Sequence, residues 1–122
     1  MDNKAFSLQF ETRTKKFAID FLKLSAQLSA SYEGRVIRNQ ISKSGTSIGA
    51  NYREANRAKS KADFRYKIKI SEGEANETLY WLEIIEEMQW LPVELIKLTM
   101  KEAKELLAIF TSISKSLNEK KG

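Results

Sequence analysis

Apolar residues recur at alternating spacings of three and four along most of the chain, and this period limits the possible folds more than any other feature. Stripes of this kind pass through Phe10, Phe17 and Leu24, and later through Phe64 and Ile68. Because a helix has about 3.6 residues per turn, each run places its apolar side chains on one face. The sequence therefore predicts an all-α protein. The most regular stripe consists of Ile96, Thr99, Ala103, Leu106, Phe110, Ile113 and Leu117.

Turn-forming residues divide the pattern into four predicted helices. Gly34 suits a left-handed residue at the end of the first helix. Ser60 and Asp63 have the spacing of a capping box, and Pro92 suits the first position of a helix. Short connections leave neighbouring helices antiparallel, so we predict one domain over residues 1–122, folded as an up-down-up-down antiparallel four-helix bundle. The predicted helices cover residues 10–30, 35–58, 61–90 and 93–118.

The composition excludes several classes of function. The chain contains no Cys and no His, which removes disulfide frameworks, thiol or histidine catalysis and di-iron bundle sites. Glu72, Glu74 and Glu77 could hold Mg²⁺ or Ca²⁺ through oxygen ligands, but glutamates at this spacing are normally surface charges. We therefore expect no metal, no cofactor and no enzymatic activity. With no long apolar run, the expected location is the cytoplasm and not a membrane.

The second predicted helix carries small and polar residues where an apolar stripe is expected. Its stripe includes Ser44, Ile48 and Asn51, while Gly45 and Gly49 lie four residues apart on one face. Glycine costs about 1 kcal/mol relative to alanine inside a helix, so packing must hold this helix together. Glycines on one face let another helix approach closely. A buried amide commonly bonds across an interface and fixes register, so we expect a structural role for Asn51.

The charges are unevenly distributed along the chain. Residues 35 to 69 contain ten Lys or Arg and two acidic residues, whereas residues 72 to 94 contain seven Glu and no basic residue. An antiparallel bundle brings the start of helix 1, the helix 2–3 connection and the end of helix 4 together, which we call the basic end. Arg13, Lys15, Lys16, Lys115, Lys120 and Lys121 are also expected there.

The basic end predicts contact with an anionic partner such as a nucleic-acid backbone. A solvated face is the alternative for the same charges. Tyr52 and Tyr66 are the candidates for base stacking, although packing is the expected role of both. At the opposite end, Arg35 and Arg38 are predicted to pair with glutamates of helix 3, namely Glu83, Glu86 and Glu87. The candidate nucleic-acid-binding residues are Arg53, Arg57, Lys59, Lys61, Arg65, Lys67 and Lys69.

The third predicted helix is apolar over a wide arc. Besides its core stripe, Ile70, Trp81, Ile84 and Met88 cover a neighbouring face. A broad arc indicates either a central helix or a subunit interface. These four residues are therefore candidates for contact with a partner protein or with a second copy of the chain.

Four short motifs carry a family resemblance. They are, in order, Gln40-Ile41, Ser47-Ile48-Gly49-Ala50-Asn51, Glu54-Ala55 and Ser60-Lys61-Ala62-Asp63-Phe64. With these motifs the chain resembles the four-helix-bundle family of 23S rRNA intervening-sequence proteins, often called S23-like. The resemblance implies a bacterial protein that assembles as a homo-oligomer, a ring of five. We therefore predict a non-enzymatic oligomeric bundle that binds RNA or DNA through its basic end. The alternative is a protein-interaction scaffold that binds no nucleic acid.

Overall fold

The computed structural model describes residues 3 to 121, with side chains up to residue 118. Each helix packs on the next along the chain, and of the helix pairs that are in contact, α1 and α4 pack least closely. Phe6, Asn56, Phe64 and Ser116 line one groove, which brings the start of α1 and of α3 together with the end of α2 and of α4. The described part of the chain contains no strand. The predicted all-α antiparallel bundle is confirmed. The helices α1 to α4 span Asn3–Ser25, Tyr32–Ala55, Lys61–Met88 and Val93–Lys121.

The apolar stripes of the four helices meet in a single core. Three aromatic rings join α1, α2 and α4 near the basic end: the Phe10 centroid lies 4.9 Å from that of Tyr52 and 5.1 Å from that of Phe110. The rings of Phe10 and Tyr52 meet edge-on, and aromatic pairs of this kind are stabilised beyond the area they bury. Tyr52 is only 2% exposed, so its predicted packing role is confirmed. Side chains with no exposed surface include Ile41, Ile48, Ile68, Leu82, Ile85 and Leu106.

Helix α1 is shifted toward the N-terminus relative to the prediction. It begins at Asn3, not at residue 10, because Phe6 extends the apolar stripe by one turn and stacks on Phe10 at 5.4 Å. It ends at Ser25, not at residue 30. Leu28 is buried, which prolongs the apolar period, but it lies in a tight turn where its amide donates to the carbonyl of Ser25. The apolar period therefore predicted one more helical turn than α1 contains.

Helix α2 begins earlier than predicted, and the role predicted for Gly34 is wrong. Ser31 caps the helix by accepting a hydrogen bond from the Gly34 amide at 3.1 Å. Gly34 therefore lies inside α2, and no described glycine has a positive φ. A Cβ at Gly34 would lie 2.3 Å from the carbonyl oxygen of Ser29. Glycine is thus needed at this position because a side chain would collide with the Ser29 carbonyl, and not because the backbone is left-handed. The end of α2 at Ala55 precedes the predicted residue 58 because Ala58 already belongs to a turn.

Helix α3 has the predicted start and a less expected end. The Ser60 side chain accepts a hydrogen bond from the Asp63 amide at 3.0 Å, which satisfies one of the free amides of the first turn. The helix ends at Met88, two residues before the predicted end, and Gln89 follows with a φ of 57°. A left-handed residue after a helix is commonly glycine, so the glutamine gave no signal of this end. Helix α4 begins at Val93, directly after Pro92, as predicted.

The two glycines of α2 allow a close approach of α1. A Cβ on Gly45 would lie 2.9 Å from Cδ2 of Phe21, and a Cβ on Gly49 would lie 2.9 Å from Oγ1 of Thr14. Both positions face side chains of α1, and the Thr14 backbone carbon is only 3.3 Å from the same Gly49 Cβ position. The predicted glycine contact between helices is confirmed. It joins α2 to α1.

The predicted role of Asn51 across the interface is wrong. Its side-chain amide donates to the carbonyl of Ser47 in its own helix at 2.9 Å. The buried stripe of α2 passes through Tyr52, the residue after Asn51, so Asn51 lies beside the core and not in it. The polar contacts between α2 and α3 come from hydroxyl groups. Thr78 donates to the Ser44 hydroxyl at 3.0 Å, and Ser71 donates to the carbonyl of Ile48 at 2.9 Å. Small hydroxyl side chains therefore align these two helices.

Replacing Gly49 with a large residue is expected to destabilise the bundle. Gly49→Leu forces a side chain against Thr14, and overpacking of this kind costs about 1 to 3 kcal/mol. Gly73→Leu is the matched control, because no atom lies within 4 Å of a Cβ at Gly73. There the better helix propensity of leucine should add up to about 1 kcal/mol. Urea denaturation followed by circular dichroism measures both. Equal stability changes for the two variants would contradict the close contact.

Candidate nucleic-acid interface

Two of the seven candidate cations, Arg53 and Arg57, are held by one carboxylate from α1. The Glu11 side chain is 15% exposed, and its oxygens lie 3.6 Å from Nε of Arg53 and 3.8 Å from a terminal nitrogen of Arg57. Glu11 also accepts a hydrogen bond from the side-chain amide of Asn56 at 2.9 Å. The carboxylate thus fastens the start of α1 to the end of α2, and its single negative charge offsets one of the two positive charges.

Lys67 and Lys69 also have acidic partners. The Nζ of Lys67 lies 2.9 Å from an oxygen of Glu54, and this hydrogen bond, more than the neighbouring negative charge, raises the pKa of Lys67. The Nζ of Lys69 lies 3.4 Å from an oxygen of Glu72. Exposed pairs of this kind add little stability, but they reduce the charge that either lysine can offer to a distant anion.

Lys59, Lys61 and Arg65 are the candidate cations that pair with no carboxylate of the described residues. All three line one surface groove, which we call the turn groove. Its other walls are apolar or small: Ala58 and Ser60 come from the α2–α3 connection, and Leu117 comes from the last turns of α4. The groove therefore combines three positive side chains with an apolar surface. Phe64 completes the groove lining.

The guanidinium of Arg65 is the most enclosed of these cationic groups. Arg65 is half-buried, and its Nε is buried without a hydrogen-bond partner among the described atoms. A buried donor without an acceptor costs free energy, and because this atom has almost no accessible surface, a ligand in the groove would be contacted by the terminal nitrogens of the guanidinium. Arginine also presents a planar group that can both donate to a phosphate and stack on a flat ring. This position is therefore suited to a ligand that supplies an acceptor.

The other cations predicted for the basic end differ in their surroundings. Arg13 makes a two-nitrogen contact with Glu102 at 2.7 Å and contacts Glu105 at 2.8 Å, so it crosses from α1 to α4. Lys16 pairs with Asp20 at 2.8 Å. Lys15 and Lys115 are exposed. The side chains of Lys120 and Lys121 lie outside the described residues.

The aromatic residues near this end differ from the prediction. Tyr66 is 63% exposed and does not line the turn groove, so the packing role expected for it is wrong. Phe64 is half-buried and packs against the core, yet it also lines the turn groove. In the sequence, the place of Phe64 on the apolar stripe indicated only its contact with the core and not its contact with the turn groove. Only its position near the end of the bundle, where a core side chain reaches the surface, could have indicated it.

At the opposite end of the bundle the predicted ion pair of Arg38 is wrong. Its guanidinium donates to the carbonyl of Leu28 at 2.6 Å and to that of Ser29 at 3.3 Å. These carbonyls belong to the turn after α1, where helical partners are missing. No ion pair joins Arg35 or Arg38 to a glutamate within the described chain. Arg38 therefore closes the α1–α2 turn.

The predicted interface arc of α3 is partly covered by the bundle itself. Trp81 and Ile84 are half-buried and pack against the core, and Ile70 is half-buried as well. Met88 is 54% exposed and Tyr80 is 57% exposed. The ring of Tyr80 packs edge-on against that of Trp81 at 5.2 Å, and Nε1 of Trp81 is buried without a partner among the described atoms. We call Tyr80, Trp81, Ile84 and Met88 the α3 face.

The acidic side chains of α3 point in different directions. Glu72 accepts hydrogen bonds from Thr111 and Ser114 of α4, at 2.8 Å and 3.3 Å. Glu74 is turned toward Ser47 of α2, and its burial, reinforced by the charge of Glu77, raises its pKa. In the part of the chain that the structure describes, no three acidic groups are placed to hold a metal ion. No described helix has an apolar stretch long enough to cross a membrane.

Comparison with known proteins supports the family resemblance. The model of the 23S rRNA-intervening sequence protein family matches residues 7–112. The chain belongs to this family. Among solved structures, one that resembles this 23S rRNA-intervening sequence family member is a protein with unknown function from the S23 ribosomal protein family of Bacteroides thetaiotaomicron VPI-5482, at 37% sequence identity. The TM-score is 0.80, and the similarity covers 86% of this chain and 97% of that one. No curated protein gives a significant match.

The hydrogen bonds at Glu72 predict a pH-dependent contribution to stability in this family member. Burial alone would raise the pKa of Glu72, but hydrogen bonds from Thr111, Lys69 and Ser114 outweigh it, and the pKa lies below its ordinary value of 4.5. A carboxyl group with a lowered pKa in the folded protein stabilises it above the unfolded pKa, and this contribution is lost as the pH falls through the folded pKa. It is therefore complete at neutral pH.

Glu72→Gln is expected to lower the free energy of unfolding at neutral pH by about 1 kcal/mol. The difference from the unchanged protein should shrink as the pH is lowered from about 6 to about 3. Glu87→Gln is the control, because Glu87 is exposed and has no hydrogen bond or ion pair to the described residues. Urea titrations at several pH values measure the effect. A loss at Glu72 that does not change with pH would contradict a role of the charged form.

Proposed function

We propose that this protein is a non-enzymatic oligomeric bundle that binds nucleic acid through the turn groove. The observation that carries the proposal is the placement of Lys59, Lys61 and Arg65 around one groove without carboxylate partners among the described residues. The family model, which describes a 23S rRNA-intervening sequence protein, supports RNA as the first nucleic acid to test. The proposed location is the bacterial cytoplasm.

The electrostatics of the turn groove favour an anion. Lys61 and Arg65 are four residues apart on α3, where like charges repel by a few tenths of a kcal/mol. A phosphate between them would remove that repulsion and accept hydrogen bonds from both side chains. Arg53, Arg57, Lys67 and Lys69 have acidic neighbours, so their contribution to binding is expected to be smaller. The proposed contact surface is therefore narrower than the basic end as a whole.

Assembly of several copies would strengthen a weak contact of this size. Three cations release few counterions, so one groove binds a phosphate backbone weakly at physiological salt. A ring of copies, five by family resemblance, would repeat the groove and turn later contacts into intramolecular ones. A homo-oligomer is therefore part of the proposed function. It also explains how such a small groove could retain a long nucleic acid.

Charge reversal in the turn groove is expected to abolish nucleic-acid binding. The test variant is Lys59→Glu with Lys61→Glu, measured by fluorescence anisotropy with a labelled RNA at several salt concentrations. The control is Lys97→Glu with Lys101→Glu, which makes the same charge change at exposed lysines of α4. The unchanged protein and the control should bind more weakly as salt rises, with a slope of about −0.7 per phosphate contact for a single strand. Equal loss in both variants would point to net charge alone and contradict the groove.

A second candidate function is that of a protein-interaction scaffold, and the α3 face favours it. Tyr80 and Met88 are more than half exposed beside Trp81, whose indole nitrogen lacks a described acceptor. A partner that covers this face would bury the exposed apolar side chains. The same face could also join copies of the chain. Only a measurement of nucleic-acid binding therefore distinguishes the scaffold from the nucleic-acid-binding oligomer.

Met88→Glu is expected to reduce the mass of the assembly if copies meet through the α3 face. A charge placed in an apolar interface loses its hydration without gaining a partner. Leu8→Glu is the control, since Leu8 is similarly exposed, at 59%, on α1. Light scattering coupled to size exclusion gives the mass of each variant. A monomeric unchanged protein at micromolar concentration would argue against self-assembly, and an unchanged mass for Met88→Glu would remove the α3 face from the interface.

A further inference from the structure

The turn groove has a property that contact with a phosphate backbone alone does not explain. Its three cations stand around an apolar surface made by Ala58, Phe64 and Leu117. The outside of a duplex consists of phosphates and sugars, while its bases are stacked inside. A duplex could satisfy the cations, but it would leave the apolar wall without a matching partner. An unpaired nucleotide, in contrast, presents a flat aromatic base and a phosphate together.

We infer that the turn groove binds an unpaired nucleotide, with the base against Phe64 and Leu117 and the phosphate at Lys59 and Lys61. This inference rests on the proposed nucleic-acid binding and makes it specific for single-stranded segments. Charge complementarity selects the occupant, because a neutral aromatic ligand would leave three cations without an anion. The polarity of the lining selects the base, because Phe64 of α3 and Leu117 of α4 both present apolar side chains to the groove.

Arg65 connects the two parts of this site. Its Nε is buried and lacks an acceptor among the described atoms, and its side chain lines the groove beside Phe64. A guanidinium can donate to a phosphate oxygen or to an acceptor on a base edge while its plane stacks on a ring. Stacking of bases on aromatic or guanidinium groups tolerates any sequence, because every base has a flat face. The groove is therefore expected to select unpaired nucleotides with little preference among bases.

The test compares three labelled probes on the full chain at one salt concentration. They are a short single strand, the same strand annealed to its complement, and the same strand with abasic positions. The duplex carries more charge, so charge alone predicts tighter binding of the duplex. The inference predicts that the single strand binds more tightly than the duplex. The intact strand should also bind more tightly than the abasic strand, by about 5-fold to 100-fold, the range of one base–aromatic stacking contact. The three probes are made in RNA and in DNA versions, which shows from which nucleic acid an unpaired nucleotide is bound. The preference for the intact single strand must occur in at least one of the two.

Phe64→Leu gives a second measurement, with Tyr66→Leu as its matched control. Leucine keeps an apolar contact with the core but removes the ring, and Tyr66 is an exposed aromatic outside the groove. Phe64→Leu should weaken strand binding and leave duplex binding unchanged, while Tyr66→Leu should change neither. If Phe64→Leu fails to fold, the abasic probe still decides. Equal binding of intact and abasic strands, or a preference for duplex in both RNA and DNA, overturns the inference but leaves the proposed function standing. Failure to bind any probe removes both.

Discussion

The contact between α1 and α2 at Gly45 and Gly49 determines much of the bundle around it. Because neither residue has a side chain, Phe21 and Thr14 of α1 come close to the backbone of α2. Helix α1 is thereby placed nearer to α2 than to α4. The wider space on its other side is spanned by long groups: the rings of Phe10 and Phe110 at 5.1 Å, and Arg13 with two glutamates of α4. Small residues on one side and large ones on the other thus set the spacing of α1 from its two neighbours.

The placement of carboxylates decides which cations remain available for a ligand. Glu11, Glu54 and Glu72 each lie beside basic residues of the helix 2–3 region. The ion pairs Glu11–Arg53 and Glu54–Lys67 connect neighbouring helices. The contacts that align these helices therefore also reduce the positive charge of their surface. Lys59, Lys61 and Arg65, around the start of α3, have no such partner among the described residues, and the unpaired positive charge of this region is concentrated there. A net charge of +5 therefore describes this surface poorly, because its distribution depends on packing.

The sequence predicts the number, type and direction of the helices well, because apolar period and capping residues are local signals. It predicts the helix ends less well. Leu28 is apolar and buried but lies in a turn, and Gln89 adopts a left-handed backbone without being glycine. Asn51 fails for a different reason: after Ile48 the buried stripe of α2 continues four residues on, through Tyr52, and not three residues on, through Asn51. The turn groove could be predicted only in part, since its lysines are visible in the sequence but the partners of their neighbours and the second contact of Phe64 depend on how the helices pack.

The order of helix contacts also has a consequence for how the chain folds. Close packing joins only helices that are consecutive in sequence, and of the pairs in contact, the one formed by the first and last helices is the loosest. Contacts between neighbours in sequence close short loops, which is typical of rapidly folding proteins. The bundle can therefore form as successive hairpins, with the α1–α4 side closed last by an arginine and two rings. The same side is the first expected to open during local unfolding, where amide hydrogens would exchange soonest.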